Sequence, residues 1–237
     1  MAESIPQESS RDDLHRVARA ALSTIPIVGG AAVELFNHLL APPIQRRRDA
    51  WLNDLAQRLA KLEQEGRVKI EDLQHSDEFI STVMQASQVA VRNHQKEKLD
   101  ALRNAVMNTA IGQAPDDAKR EMFLAFIDDF TVWHLKVLAF LNAPDGWARQ
   151  HGLHMQQNVV CHTVEAALYN QFAELYREPD FRKALIRDLR SRSLIQSDDS
   201  DFEFCAASGG RRTPATTPLG RDFLRFISEP EGEQHDI

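Results

Sequence analysis

Residues Ala20–Gln45 constrain this chain most, because those 26 residues hold one formal charge, Glu34. The stretch is long enough to span a bilayer, but Pro26, Gly29, Gly30, Asn37, His38, Pro42 and Pro43 interrupt it. It reads as an apolar hairpin: a short helix, a Pro/Gly turn, and a second short helix over about residues 31–41. Arg46, Arg47 and Arg48 follow at once, as they would beside an anionic lipid surface. The plain reading is a buried helical hairpin whose next helix opens with solvated arginines. The functional reading is a working surface of Ile25, Ile27, Val28, Val33, Phe36, Leu39 and Leu40 with Arg46–Arg48 beside it. Such a surface would dock a protein partner, self-associate or touch the inner membrane.

Around that stretch the composition is ordinary. The 237 residues are 43% apolar and 27% charged, enough for one large domain or two small ones with a real core. That excludes a collagen-like, low-complexity or wholly disordered chain. Two cysteines exclude a disulfide-stapled scaffold and point to a reducing compartment. The acidic, polar start lacks the positive charge of a secretory signal, so the expected location is cytoplasmic, or peripheral to the inner membrane if the hairpin is exposed.

Helical spacing dominates the rest, and the expected class is mainly α. Residues 1–8 and 229–237 read as tails, 9–115 as a helical region containing the hairpin at 20–45, and 116–228 as a second region. Ser9 or Ser10 would cap a first helix. Trp51, Leu52, Leu55, Leu59 and Leu62 predict a helix over about 44–65 that Gly66 ends. Ser76 would cap a helix striped by Phe79, Val83, Ala86 and Ala90, and the polar patch at 92–98 suggests a break. Asp116 and Asp117 start another helix, and Thr131 caps a fresh one. Ala143–Gly146 reads as a turn, followed by helices near 146–156 and 159–176. In the helix that Pro179 starts, Phe181, Leu185 and Leu189 are expected to face the core. Strand-like pieces first occur after about residue 193, near 201–206 and 214–217, flanking a Ser-Gly-Gly-Arg-Arg tip.

Residues 117–228 resemble a winged-helix domain. The resemblance lies in Leu194-Ile195 at the end of a third helix, the hairpin after it, and Thr217-Pro218-Leu219-Gly220 leading into a closing helix. It implies a recognition helix and a wing, and Lys183, Arg187, Arg190, Arg211 and Arg212 stand where phosphates would be met. Charge argues against nucleic acid, since residues 116–237 hold 14 basic and 20 acidic side chains and residues 1–115 are nearly balanced. More loosely, the apolar Pro/Gly-bearing start, helical middle and terminal TPLGRDFLRF resemble bacterial abortive-infection alpha-type proteins, which implies a role in phage defence and no catalytic motif.

No nucleotide, nucleophile-elbow or metalloprotease motif is present, so no enzyme, cofactor or small-molecule substrate is inferred. His151, His154, Cys161 and His162 are the one metal-like cluster, but their spacing matches no structural zinc site. Cys205 reads as a buried, inert thiol. The expected function is a non-catalytic interaction or effector protein of a bacterial cytoplasm. A winged-helix DNA-binding regulator is the alternative.

Overall fold

Local capping chemistry sets most element ends. A computed structural model describes residues 31–150, 161–163, 172–196, 203–205 and 215–230. In chain order these form α1 (Ala31–Gln64), α2 (Ile70–Leu73), α3 (Asp77–Arg92), α4 (Lys96–Ala110), α5 (Asp117–Asp129), α6 (Val132–Asn142) and α7 (Pro144–Gln150). Then come β1 (Cys161–Thr163), α8 (Ala173–Tyr176), α9 (Pro179–Ser191), β2 (Glu203–Cys205) and α10 (Pro218–Ile227). The protein is mainly α-helical, and it divides into two units. One holds residues up to His94 with Thr109–Gly112; the other holds Gln95–Asn108 and the chain from Gln113.

In the first unit α1 packs on α3. Trp51, Leu55 and Leu62 recur along one side of α1 and are buried, as are Ala86, Val89 and Ala90 of α3. The indole Nε1 of Trp51 donates to Ser87 Oγ at 3.0 Å, so the largest ring of this core keeps a partner for its polar edge. Gly66 takes φ +71 and ends α1, with its N–H on the Glu63 carbonyl and that of Arg67 on Leu62. Ser76 accepts the Phe79 N–H at 3.2 Å and starts α3, and the chain leaves helix over residues 93–95, within the polar patch. The expected pair of helices at 31–41 and 44–65 is instead the single helix α1, with Pro42 and Pro43 inside it. A proline ring holds φ near the helical value, so the missing N–H donors cost stability without forcing a turn.

The second unit is built on aromatic packing. Phe123 meets the Phe223 ring edge-on at 5.2 Å, and Phe126, Phe130 and Phe226 complete the cluster. Asn108 of α4 points its amide at the carbonyls of Phe226 and Ser228 (2.8 and 2.9 Å), satisfying the end of α10. Asp116 accepts the Lys119 N–H at 3.1 Å and caps α5. At α9 the inward stripe is Arg182, Leu185 and Leu189, whereas Phe181 is 38% exposed, contrary to expectation. Phe181 lies about 100° round the helix from Arg182 but about 40° from Leu185, at the edge of that stripe.

Beyond α9 the chain turns at Ser193, a non-glycine residue with φ +58. Its N–H reaches the Arg190 carbonyl, and that of Leu194 reaches Leu189. Residues 194–196 then pair antiparallel with 215–217: Ile195 bridges Thr216, Gln196 N–H donates to Ala215, and Thr217 N–H donates to Leu194. Thr217 accepts the Gly220 N–H at 3.0 Å and donates its hydroxyl to the Ser193 carbonyl at 2.6 Å. The first turn of α10 thereby lies directly on the Leu194 backbone.

Three other expectations change. Cys161–Thr163 is a strand inside the expected helix at 159–176 and ahead of the first expected strand. Glu203–Cys205 pairs antiparallel with it and Thr216 bridges Ile195, so the pieces at 201–206 and 214–217 each take a different partner among the described residues. The β-branched Thr163 favours extended backbone once a partner strand is available. Pro144 begins a helix, so only Ala143 of the expected turn stays outside one.

A Cβ on Gly220 would stand 2.1 Å from the Leu194 carbonyl oxygen, with backbone on both sides of the clash. Gly220→Ala is therefore expected to lose about 3 kcal/mol. Gly146→Ala, whose Cβ would meet only Ala143 at 3.7 Å, is expected to be neutral or to gain up to about 1 kcal/mol of helix stability. Urea denaturation of both variants checks the contrast.

Candidate functional site

Of the apolar residues assigned to a partner surface, Ile25, Ile27 and Val28 lie outside the described residues. Positions 33, 36, 39 and 40 all fall in the first turns of α1. Val33, Phe36 and Leu40 follow at intervals of three and four, which places them on one side of the helix, and Leu39 sits off that stripe. Arg46 and Arg47 are exposed; Arg48 is half-buried and pairs with Asp49 at 3.1 Å. At 1.5 Å per residue the 34 residues of α1 extend about 51 Å and the 16 of α3 about 24 Å. The 16 residues of α3 can accompany less than half of α1, and α3 meets it at Trp51, whose indole donates to Ser87 Oγ at 3.0 Å. No helix among the described residues is long and apolar enough to cross a membrane.

The alternative site sits on α9. Lys183, Arg187 and Arg190 are exposed there, at intervals of four and three on the side away from Leu185 and Leu189. Arg211 and Arg212 lie outside the described residues, so a joint surface with α9 is not described. The same holds for His151 and His154 of the metal-like cluster. Cys161 and His162 are neighbours in β1 rather than on a helix. Among the described residues no group of three His, Cys, Asp or Glu is placed to hold a metal.

Sequence reasoning missed the cluster that anchors the end of α9. The Arg192 guanidinium lies over the rings of Phe126 and Phe130, 5.0 and 5.1 Å from their centroids. It pairs with Asp188 and Asp129, each at 3.1 Å. Burial acts to lower the Arg192 pKa, but the two carboxylates outweigh it and raise it. Beside it, His134 stacks flat on Phe130 at 4.8 Å. The Thr131 N–H donates to His134 Nδ1 at 3.1 Å, closing the capping box that starts α6. That bond assigns the ring proton to Nε2, which stands 3.3 Å from Asp188. Thr131 as a cap was legible; its partner was not, because a capping box ordinarily uses Glu or Gln.

Lys98 was missed too. It is 5% exposed, and its Nζ donates to the Asp128 carbonyl at 2.8 Å, where a cation meets the negative end of α5. Lys136 and Glu97 pair at 3.0 Å; the backbone N–H of Glu97 and the Lys136 ammonium hold that carboxyl below its usual pKa.

Burial holds His134 below the ordinary histidine pKa, with Arg192 adding to the effect and Asp188 opposing it. The unfolded chain therefore takes up this proton first, and stability falls as pH drops through the ordinary histidine range of about 6.5 toward the lower folded value. Urea midpoints at pH 7.5 and 5.5 are expected to fall further for the wild type than for His134→Gln, which keeps a capping-box acceptor. Equal losses would assign the acid sensitivity to other groups. Comparison with family models, curated proteins and solved structures finds no match to this chain.

Proposed function

We propose that this chain is a non-catalytic interaction protein that buries the apolar first half of α1 against a second copy of itself or another protein. The length mismatch within the first unit carries this reading: about 51 Å of α1 against about 24 Å of α3. The apolar positions Val33, Phe36, Leu39 and Leu40 fall in the part of α1 that α3 is too short to accompany, and Arg46 and Arg47 project beside it. Burying such a stripe releases water from apolar surface, and the arginines steer the approach of an acidic partner. The loose resemblance to abortive-infection alpha-type proteins supports assigning this activity to phage defence or a stress response of a bacterial cytoplasm. Membrane contact is the other occupant of the same surface.

Sedimentation velocity over a wide concentration range is expected to show assembly of the wild type. Phe36→Asp/Leu40→Asp is expected to be monomeric with unchanged helical circular dichroism. A wild type that stays monomeric and does not float with anionic vesicles removes both self-association and lipid contact as the use of this surface.

A second reading, a winged-helix regulator contacting DNA, is favoured by the exposed stripe Lys183, Arg187 and Arg190 on α9. It also draws on the tight seating of Leu194-Ile195 against Thr217–Gly220, at the position where that family enters its wing. The excess of acidic over basic residues from 116 onward weighs against it. Filter binding of duplex DNA separates the two readings. The regulator requires retention at low salt that declines steeply with added salt and is lost in Arg187→Glu/Arg190→Glu, and no retention at low salt removes it.

A further inference from the structure

The chain has two cysteines, and the β1–β2 pair sets them opposite each other. Cys161 pairs with Cys205, His162 with Phe204, and Thr163 with Glu203. Directly opposite residues of an antiparallel pair have Cα atoms about 4.5 or about 5.5 Å apart, according to their place in the hydrogen-bond pattern. Both values lie inside the span of about 4.4–6.8 Å that a disulfide bridges. Opposite residues also share one side of a sheet, whereas a slip of one residue would put them on different sides. Register therefore places Cys161 and Cys205 at opposed backbone positions, within the span that a disulfide bridges. The sequence separation is long, so nothing local brings them together.

We propose that Cys161 and Cys205 form a reversible thiol–disulfide pair that locks β1 to β2 under oxidising conditions. The oxidant is a small-molecule disulfide such as oxidised glutathione. One cysteine thiolate attacks a sulfur of that disulfide, breaking its S–S bond and expelling one small thiol, which leaves a mixed disulfide on the protein. The second cysteine, as thiolate, attacks the protein sulfur of the mixed disulfide and expels the other small thiol. Two protein thiols become one protein disulfide, the small disulfide becomes two thiols, and the two electrons pass to it. An excess of the small thiol runs the same steps backwards. The bond closes a covalent loop that contains α8 and α9, adding a crosslink across β1 and β2 to the packing that already holds α9.

The test uses the full-length wild type, equilibrated across ratios of reduced to oxidised glutathione and quenched with a maleimide mass tag. The expected result is loss of both free thiols together in a monomeric chain lighter by two hydrogens. Peptide mapping then yields one species joining Cys161 to Cys205. Amide hydrogen exchange at residues 161–163 and 203–205 is expected to slow at least tenfold on oxidation. Cys161→Ser and Cys205→Ser are each expected to retain one glutathione that the wild type sheds. Stable glutathione adducts on both cysteines of the wild type, or covalent dimers in place of the intrachain bond, would overturn the proposal, and this wild-type outcome decides even if a variant fails to fold.

Discussion

The approach of α10 to the backbone at Leu194 is the constraint on which the second unit depends. The Leu194 carbonyl accepts the Thr217 N–H and lies against Gly220, where no side chain fits. This contact brings the exit of α9 and the start of α10 to one place, and the Ala215 N–H bonded to the Leu141 carbonyl adds the end of α6. Thr216 reinforces it through Asn142 at 2.8 Å. Three helix ends whose polar backbone groups would otherwise need water satisfy one another there. The phenylalanine cluster can then close over Phe223 and Phe226, because the origin and direction of α10 are already set.

Three cations of this unit are held against its core. Arg192 lies over two phenylalanines between two aspartates, Lys98 serves the end of α5, and Arg120 is buried while pairing with Asp117 at 2.7 Å. A guanidinium tolerates such a place because it is planar and weakly hydrated, and its fork reaches carboxylates while its face lies on a ring. Two of the acidic side chains of this unit, Asp129 and Asp188, are engaged together by Arg192. The same arrangement leaves Lys183 and Arg187 as solvent-facing cations on α9.

What was legible in the sequence was local. Ser76, Asp116, Thr131 and Gly66 act within three or four residues of their own positions, so their roles follow from neighbouring letters alone. The stripes Trp51–Leu55–Leu62 and Leu185–Leu189 were legible because periodicity reports one helix at a time. What was not legible required a partner distant in the chain. Phe181 reads as core until the position of the buried stripe on α9 is known, and Cys161 reads as helical until Glu203–Cys205 is beside it. Arg192 looks like one more solvated arginine in a basic run, and only Phe126, Phe130 and Asp129, some sixty residues earlier, distinguish it. For the candidate surface, α1 was expected as two helices because Pro42-Pro43 reads as a stop, which concealed the length that gives the first half of α1 its interest.

The left-handed turn at Ser193 has a consequence for how α9 can vary. It stops the helix at a fixed residue, and Arg192, just before it, must meet the two phenylalanine rings. Adding or deleting one residue within α9 would rotate everything on one side of the change by about 100° relative to the other. Either Arg192 would leave its rings, or the stripe of Lys183, Arg187 and Arg190 would swing toward the interior. The angular phase of that stripe is therefore locked to the terminus of its own helix, and α9 tolerates exchanged residues far more readily than a change in their number.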